Sequence, residues 1–405
     1  MTAGDPDLPP TASTVIVGGG IVGAACAFFL ADRGEDDVVL VERATLGSGT
    51  TKGGLGGIRH QFTDALDVRL SLMATEFWRE FGSFTGSAHE FEENGYLFLA
   101  ETAEGLAHLR EPLALYERLG LAVEMLDRER IEELVPGIRT DDLAGGRLCP
   151  RDGYGDPGSA LAGFAAAALL GGVRIFEGTE VEGIVREGDR VTGVRTARGD
   201  LKAERVLLAT GCWTAPLAAT AGVSVPIWPY PRSIMESQPI PRLVGIPLVI
   251  EWESGFHFRP KEGRQRFAMP NLTTGGAIEK GPAAPPGSFE GLAYPPLEVP
   301  ASLEPWVRAR AAWRHPAFAD LEITSRWSCY YEMTPDDHPV VGRVPEVEGL
   351  YVAAGFSGHG FMHTPAIAQL VVEEMLDGEA TTLDISDLSL ERFRSGRRPF
   401  RATVL

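Results

Sequence analysis

Cysteine, cationic side chains and long apolar runs are all scarce in this sequence. The 405-residue chain has four cysteines, none of them in a Cys-x-x-Cys pair, so neither a zinc site nor a disulfide scaffold is indicated. Lys and Arg number 37 against 56 Asp and Glu, a formal net charge of −19. That charge disfavours nucleic acid as a partner, because affinity for nucleic acid comes largely from cationic contacts. No apolar run reaches the roughly 18 residues that cross a bilayer, so we expect no membrane contact.

The beginning of the chain also lacks the pattern of a secretory signal. In "MTAGDPDLPPTAS" acids and prolines occupy the places where a signal has a cationic end and an apolar middle. We therefore predict a mobile leader over residues 1–12 and a cytoplasmic location. The length of the chain favours two closely packed domains over a single core.

Residues 13–43 have the pattern of a dinucleotide-binding βαβ unit. A short β-branched strand ending at Val17 is followed by Gly18, Gly20 and Gly23 in GxGxxG spacing, then a helix and a second strand that stops at Glu42. The glycines allow a tight turn, a close approach to a pyrophosphate and close helix packing. The helix N-terminus favours phosphate, and Glu42 would accept hydrogen bonds from ribose hydroxyls. This unit alone does not separate NAD from FAD.

A second glycine-dense turn, "GFSGHGFMHTP", begins at Gly355 and follows a predicted buried strand over residues 351–354. We predict that its helix begins with Thr364 as N-cap and Pro365 at the first helical position. Two such turns could hold the two ends of one extended cofactor. The first would take ADP, and the second would set a partial positive charge beside the other end. A flavin fits this arrangement, because its reduced form is an anion over N1 and C2=O.

The segments between the two turns predict a discontinuous two-domain plan. Residues 173–210 resemble a three-strand meander, residues 102–134 two charged helices, and residues 225–269 short strands separated by prolines. The predicted fold class is α/β plus α+β, a Rossmann-like FAD-binding domain with an inserted antiparallel-sheet substrate domain. The predicted bounds are 13–90, 146–224 and 325–405 for the first domain, and 91–145 and 225–324 for the second.

Six motifs, in order along the chain, resemble the FAD-dependent amino-acid oxidase family (D-amino acid oxidase-like), and in particular its sarcosine oxidase branch. They are "VIVGGGIVG" with Glu42-Arg43, "GSGTTKGGLGGIRH", "DGYGDP", "LLATGCW", "YYEMTPDDHPVVG" and "YVAAGFSGHGFMHTP". The spacing from Ser48 to Arg59 is closest to the β subunits of heterotetrameric sarcosine oxidases. The resemblance implies FAD as cofactor, and it leaves open whether the protein is a monomer or a subunit of an assembly.

The resemblance also implies which residues contact the FAD. These are Gly18, Gly20, Ile21, Val22, Gly23, Glu42, Arg43, Ser48, Thr50, Thr51, Gly54, Leu55, Gly57, Val181, Gly211, Trp213, Cys329, Gly355, Gly358, His359, Gly360, Phe361 and Met362. Cys329 occupies the place where monomeric sarcosine oxidases attach flavin through sulfur. A covalent bond through Cys329 and a buried free thiol are both open at this stage.

Arg59, His257 and His359 are the predicted catalytic residues. The resemblance implies that Arg59 binds a substrate carboxylate, while Met362 stands where the family has a second cation, a lysine. His257 aligns with a lysine that, in monomeric sarcosine oxidases, helps oxygen to accept electrons from the flavin. A partly charged His257 would act similarly. Alternatively, His257 would favour an electron acceptor other than oxygen, and the enzyme would then be a dehydrogenase. Because side chains alternate between the two faces of a strand, the segment "FHFR" could instead turn His257 outward, away from the flavin. His359 and His363 lie in a glycine turn without HExxH, so no metal site is expected.

These features favour an enzyme that oxidises the C–N bond of a small secondary or N-methylated amino acid. Hydride would pass to flavin N5, the imine would hydrolyse, and oxygen or another acceptor would reoxidise the flavin. Two alternatives share the fold: a D-amino acid dehydrogenase or oxidase, and a 2-hydroxy-acid oxidoreductase. A third is an FAD-bearing subunit of a multi-chain complex.

Overall fold

The structure, a computed structural model, describes residues 7–89, 91–269 and 297–396. Residues 1–6 of the predicted leader, residues 270–296 of the predicted substrate domain and the last nine residues lie outside that range. Within it, no helix has the length and apolar character needed to span a bilayer. The cytoplasmic location stays a prediction.

The described chain alternates strands and helices, with one helix-poor stretch in its middle third. The strands are β1 (Thr11–Val17), β2 (Val38–Val41), β3 (Gly57–Ile58), β4 (Phe91–Glu92), β5 (Tyr96–Ala100), β6 (Glu124–Leu126), β7 (Gly145–Cys149), β8 (Gly153–Gly155), β9 (Arg174–Phe176), β10 (Val181–Glu187), β11 (Arg190–Thr196), β12 (Gly199–Leu208), β13 (Trp228–Ser237), β14 (Leu248–Glu251), β15 (His257–Lys261), β16 (Arg264–Met269), β17 (Ile323–Met333), β18 (Val340–Arg343) and β19 (Leu350–Ala354). The helices are α1 (Ile21–Asp32), α2 (Ala65–Arg79), α3 (Phe81–Thr85), α4 (Ala103–Arg110), α5 (Leu113–Arg118), α6 (Arg128–Leu134), α7 (Pro157–Leu170), α8 (Thr214–Ala219), α9 (Leu303–Arg314) and α10 (Gly360–Asp377).

The first sheet has a parallel core with the order β9–β2–β1–β12–β19, and β18 adds an antiparallel edge. Its strands are apolar on both faces. Ile16 of β1 packs with α1, α7 and α10 on one face, whereas Val15 and Val17 pack under the meander on the other. Burial on both faces is typical of a parallel sheet. The predicted three-strand meander is present as β10–β11–β12, and β12 continues from it into the parallel core.

The second sheet has eight strands in the order β17–β13–β16–β15–β14–β5–β7–β6, and only the β14–β5 pair is parallel. It encloses its own core of Leu, Val and Phe side chains packed under α9. The predicted fold class is confirmed: a Rossmann-like sheet and a mostly antiparallel second sheet. The proposed domain bounds remain a prediction; β17 pairs with β13 across the bound at residue 325.

Three local predictions differ from the structure. β1 begins at Thr11, because residues 11 and 12 pair with β12, so the predicted leader was two residues too long. Residues 102–134 form three short helices and strand β6 rather than two helices. Helix α10 begins at Gly360, not after Thr364, so Pro365 lies inside it. The Thr364 hydroxyl donates to the Gly360 carbonyl instead of capping the helix.

A buried charge cluster joins three separate parts of the chain beside the first sheet. His338 Nε2 lies 3.0 Å from Asp64 Oδ2 and 3.0 Å from Asp67 Oδ2, at the beginning of α2. Its Nδ1 donates to the Asp336 carbonyl at 2.6 Å, and the Asp336 side chain pairs with Arg392 at 2.8 Å. Burial alone lowers the pKa of His338, but the two carboxylates outweigh it and raise that pKa to about 10. His338 is therefore a cation that links α2 to the C-terminal segment.

We predict that His338→Gln lowers the free energy of unfolding by roughly 3 kcal/mol near neutral pH, because it leaves two carboxylates in a buried site without their cation. The contribution of a group with a raised pKa is complete below its ordinary value of 6.5 and is lost as the pH passes about 10. Urea unfolding of both proteins between pH 7 and 10 measures this difference, which should shrink as the pH rises. His108→Gln, at an exposed ion pair, is the control and should change little. A His338→Gln difference independent of pH would contradict the assignment.

Candidate active site

A cavity of about 590 Å³ opens at the carboxyl ends of β1, β12 and β19. These three strands are adjacent and parallel, so the turns that follow them meet at one edge of the sheet. That edge is where open α/β sheets bind ligands. Both glycine turns of the sequence, at Gly18–Gly20 and Gly358–Gly360, line this cavity.

The first glycine turn brings backbone close to backbone. Gly18 has φ +110°, and a Cβ there would lie 2.4 Å from the Ala209 carbonyl oxygen; a Cβ on Gly23 would lie 2.0 Å from the Gly18 oxygen. Gly20 differs, because only Thr51 Oγ1 lies near its Cβ position, at 3.3 Å. Gly18 and Gly23 therefore serve packing, while Gly20 leaves open space in the cavity.

Glu42, at the end of β2, is nearly buried and lines the cavity. Its two carboxylate oxygens accept hydrogen bonds from the Gly19 amide at 2.8 Å and the Ala44 amide at 2.9 Å. A carboxylate offers about four acceptor positions in all. Glu42 thus fixes the first glycine turn and stands at the cavity wall, where a carboxylate suits the hydroxyl groups of a ribose.

The second glycine turn places the beginning of α10 at the cavity. Gly360, Phe361 and Met362 form the first turn of this helix and line the cavity, and N–H groups in a first helical turn have no acceptor within their helix. Glu332, at the end of β17, accepts the Gly355 amide at 2.8 Å. Burial raises the pKa of the Glu332 carboxyl to about 7, although the Gly355 and Phe356 amides lower it.

One end of the cavity has the character of a nucleoside site. Arg43 lies 4.3 Å from the centroid of the Trp213 ring and 3.8 Å from Glu180. These three residues and Val181 line the cavity next to Glu42. A flat aromatic or cationic surface beside a carboxylate suits an adenosine, whose base stacks and whose ribose donates hydrogen bonds.

Arg59 lies beyond the opposite end, among aromatic side chains. Its guanidinium is 4.4 Å from the Phe62 ring centroid and 5.7 Å from that of Phe98. It donates to His359 Nε2 at 3.3 Å, and burial, followed by the charge of Arg59, lowers the pKa of His359 well below its ordinary value. Among the described residues Arg59 makes no ion pair, so it is a nearly buried cation without a carboxylate.

Strand β15 carries three polar side chains that reach, in turn, the cavity, the glycine-rich loop of residues 46–59 and Asp156. His257 lines the cavity, Arg259 donates to the Leu55 carbonyl at 2.6 Å, and Lys261 pairs with Asp156. The outward orientation considered for His257 is therefore wrong. His257 Nδ1 donates to the Gly255 carbonyl at 2.9 Å, and burial lowers the pKa of His257 to about 4. It is neutral at pH 7, contrary to the expected partial charge.

Cys329 is buried but does not line the cavity. Its Sγ lies 3.5 Å from the Gly53 carbonyl oxygen, and burial raises the pKa of the thiol to about 12. A protonated thiol packed under the Thr51–Gly53 turn is a poor nucleophile. The geometry favours the free-thiol alternative.

The structure brings most predicted site residues to the cavity wall. Those that line it are Gly18, Gly20, Ile21, Val22, Glu42, Arg43, Thr50, Thr51, Gly54, Leu55, Gly57, Val181, Gly211, Trp213, His257, Gly358, Gly360, Phe361 and Met362. Those that do not are Gly23, Ser48, Arg59, Cys329, Gly355 and His359. Ser48 instead donates to the Thr45 carbonyl at 2.6 Å.

Tyr96, Tyr331 and Glu332 are among the lining residues that the sequence reasoning missed. The last two lie in the quoted motif "YYEMTPDDHPVVG", where an acid next to two tyrosines in an otherwise buried strand was an available signal. Tyr96 had none, since it is the first residue of an ordinary apolar strand.

Behind Arg59 lies a buried network centred on Asp152. Asp152 Oδ1 accepts from the His60 amide at 2.8 Å and lies 2.7 Å from His60 Nδ1, and Oδ2 accepts from Gln61 Nε2 at 2.8 Å. The potential metal-ligand atoms of Asp152, Cys149 and His60 lie within 4.8 Å of one another, and the same holds for those of Asp64, Asp67 and His338. In both groups the histidine already contacts a carboxylate, and the absence of a metal stays a prediction.

The residues present fit FAD. Open space at Gly20, an acceptor at Glu42, a stacking surface at Arg43 and a second helix N-terminus at Gly360 line one continuous cavity. An anionic, elongated dinucleotide with a large planar ring at its far end matches this order of donors and acceptors.

The comparisons with known proteins agree with this geometry. A family model described as FAD dependent oxidoreductase (DAO) matches residues 13–374. The chain is 32% identical over 97% of its length to 4-methylaminobutanoate oxidase (formaldehyde-forming) of Paenarthrobacter nicotinovorans, of which it spans 47%. It therefore spans about half the length of that relative. It is 29% identical to glycine oxidase of Geobacillus kaustophilus (strain HTA426), over 93% of this chain and 96% of that protein.

Solved structures give the same result. The crystal structure of L-proline dehydrogenase from P. horikoshii superposes with a TM-score of 0.85 at 31% identity, covering 96% of this chain and 99% of that one. L-amino acid deaminase from Proteus vulgaris, at 21% identity and a TM-score of 0.84 over 97% of this chain and 100% of that one, shares the fold. With the family match over residues 13–374, these findings show that the chain belongs to the DAO family of FAD-dependent oxidoreductases and is an FAD-dependent enzyme.

Proposed function

We propose that the protein oxidises the C–N bond of a small secondary or N-methylated amino acid, with the substrate carboxylate bound by Arg59. The observation that carries this proposal is the state of Arg59, a nearly buried cation with no carboxylate partner among the described residues. A guanidinium has five N–H donors, and among the described residues Arg59 has only His359 as a hydrogen-bond partner. An arginine binds a planar carboxylate through two parallel hydrogen bonds. The relatives named for methylaminobutanoate, glycine and proline support a carboxylate-bearing amine.

Bound in this cavity, FAD would supply a hydride acceptor for the carbon next to the substrate nitrogen, and water would hydrolyse the imine product. The protein's part is to hold the amine and exclude water. His257 donates from Nδ1 to Gly255, so its Nε2 is free to accept a hydrogen bond. A neutral His257 at the cavity wall would accept an N–H from the substrate amine and favour the deprotonated amine that oxidation requires.

A dehydrogenase is the second candidate, and the neutral state of His257 favours it. A cation near the flavin would help oxygen to accept electrons, and the low pKa of His257 removes that cation at neutral pH. The chain is similar both to an L-proline dehydrogenase and to a glycine oxidase, so the fold alone does not separate the two acceptors. Turnover with oxygen alone, compared with turnover with an added quinone or dye, separates the two candidates.

We predict that the purified flavoprotein is bleached under anaerobic conditions by sarcosine, 4-methylaminobutanoate or proline. The corresponding decarboxylated amines should bleach it much more slowly, because they cannot pair with Arg59. D-amino acids and 2-hydroxy acids complete the panel. Bleaching by a 2-hydroxy acid alone would replace the proposed function with the hydroxy-acid alternative.

We predict that Arg59→Met raises KM for the best carboxylated substrate roughly 100-fold, because a buried charge pair is lost. Arg59→Lys keeps the charge without the planar pair of donors, so we expect an intermediate KM. The visible flavin spectrum should be unchanged in both variants. An equal rise in KM for substrates with and without the carboxylate would show that Arg59 has a structural role.

We predict that the FAD is not covalently attached. Denaturation and acid precipitation should leave the flavin in the supernatant for the wild type and for Cys329→Ser alike, since the thiol faces Gly53 rather than the cavity. Flavin that precipitates with the wild type but not with Cys329→Ser would establish the bond.

A further inference from the structure

The Tyr96 hydroxyl is a polar group without an assigned role. Tyr96 begins β5 at the centre of the second sheet, is 5% exposed, and lines the cavity. Within the described parts of the chain its hydroxyl makes no hydrogen bond, although a buried phenol usually finds a partner. The missing partner is expected inside the cavity.

Gly57, in the glycine-rich loop of residues 46–59, leaves room for the Tyr96 hydroxyl. A Cβ on Gly57 would lie 2.9 Å from the Tyr96 oxygen and 3.1 Å from Tyr96 Cε2, so any other residue at position 57 would displace the phenol. Gly57 also lines the cavity. The close approach brings the Tyr96 oxygen to the wall of the cavity.

Tyr96 and Arg59 flank the same side chain, Phe98. The Tyr96 and Phe98 ring centroids are 5.7 Å apart, and the Arg59 guanidinium is 5.7 Å from the Phe98 centroid. Burial raises the pKa of Tyr96 and the charge of Arg59 lowers it; the phenol is protonated at neutral pH. It is therefore a neutral hydrogen-bond donor within electrostatic reach of the Arg59 cation.

The Asp152 network ties together the segments that carry Tyr96 and Arg59. Gln61 Nε2 donates both to Asp152 Oδ2 at 2.8 Å and to the Tyr96 carbonyl at 2.9 Å. Gln61 follows Arg59 by two residues, so the segment that carries Arg59 is linked to the start of β5. A cation and a neutral donor on two linked segments suit one anion with two oxygens.

Resting on the proposed function, we propose that Tyr96 is a substrate-binding residue whose hydroxyl donates to the same carboxylate that Arg59 binds. Arg59 supplies the charge and part of the hydrogen bonding, and Tyr96 supplies a further donor. The protein would then prefer amines with a carboxylate over their amides and esters for a geometric reason as well as an electrostatic one.

The test uses the flavoprotein with acetate and acetamide as competitive inhibitors of amine oxidation. Tyr96→Phe removes only the hydroxyl, and we expect it to weaken acetate inhibition and to raise KM for the carboxylated substrate about tenfold, the usual effect of a lost hydrogen bond to a charged group. Inhibition by acetamide should change much less, as should the melting temperature and the flavin content.

Tyr116→Phe is the matched control. Tyr116 is another buried phenol whose hydroxyl has no partner among the described residues, but it is not among the residues lining the cavity. The Tyr116→Phe variant should therefore be inhibited by acetate and should oxidise the substrate as the wild type does. Wild-type acetate affinity in Tyr96→Phe, with weakened affinity in Arg59→Met, would overturn the role of Tyr96 alone. Acetate that does not compete with substrate in the wild type would overturn the proposed function and this inference together.

Discussion

The backbone N–H groups at the beginnings of α1 and α10 are the feature on which the site depends. N–H groups in a first helical turn have no acceptor within their own helix, and each of these helices follows a strand of the same parallel sheet. β1 and β19 lie on either side of β12, so residues 20–22 and residues 360–362 meet at one cavity. The fold thus presents two electropositive backbone surfaces to the two ends of one elongated cofactor, in a protein whose net charge is −19.

The second sheet completes the site with side chains rather than backbone. β5, β14 and β15 place Phe98, Ile250 and His257 in one row, below the end of the cavity that α10 closes. The local chemistry combines the Arg59 cation with aromatic rings and with histidines that burial keeps neutral. Under the proposed function, Arg59 would bind the anionic group of the substrate, and the rest of the pocket would orient its amine.

Much of the fold and of the cofactor site was predictable because glycine spacing reports directly on backbone geometry. Gly18 and Glu42 lie where the βαβ pattern puts them, and the meander was visible as alternating strands. The start of α10 was not predictable, because Thr364 and Pro365 form a favourable N-terminal pair locally, while the tertiary contacts of the Gly355–Gly358 turn start the helix at Gly360. The position of Cys329 and the role of Tyr96 depend on how the second sheet packs against the glycine-rich loop of residues 46–59. Local sequence patterns contain no such information.

Gly20 offers the most direct test of the claim that this cavity holds the FAD. In the described part of the chain, apart from the residues adjacent to Gly20, only Thr51 Oγ1, at 3.3 Å, lies within 4 Å of a Cβ at position 20. Gly20→Val should therefore fold with a small adjustment and project into the cavity. The measurement is the molar ratio of released flavin to protein, with circular dichroism to verify folding and Gly82→Ala as a control in α3, away from the cavity lining. The account predicts a folded Gly20→Val protein that has lost most of its flavin and a control that keeps it. A folded Gly20→Val protein with full flavin content would contradict it.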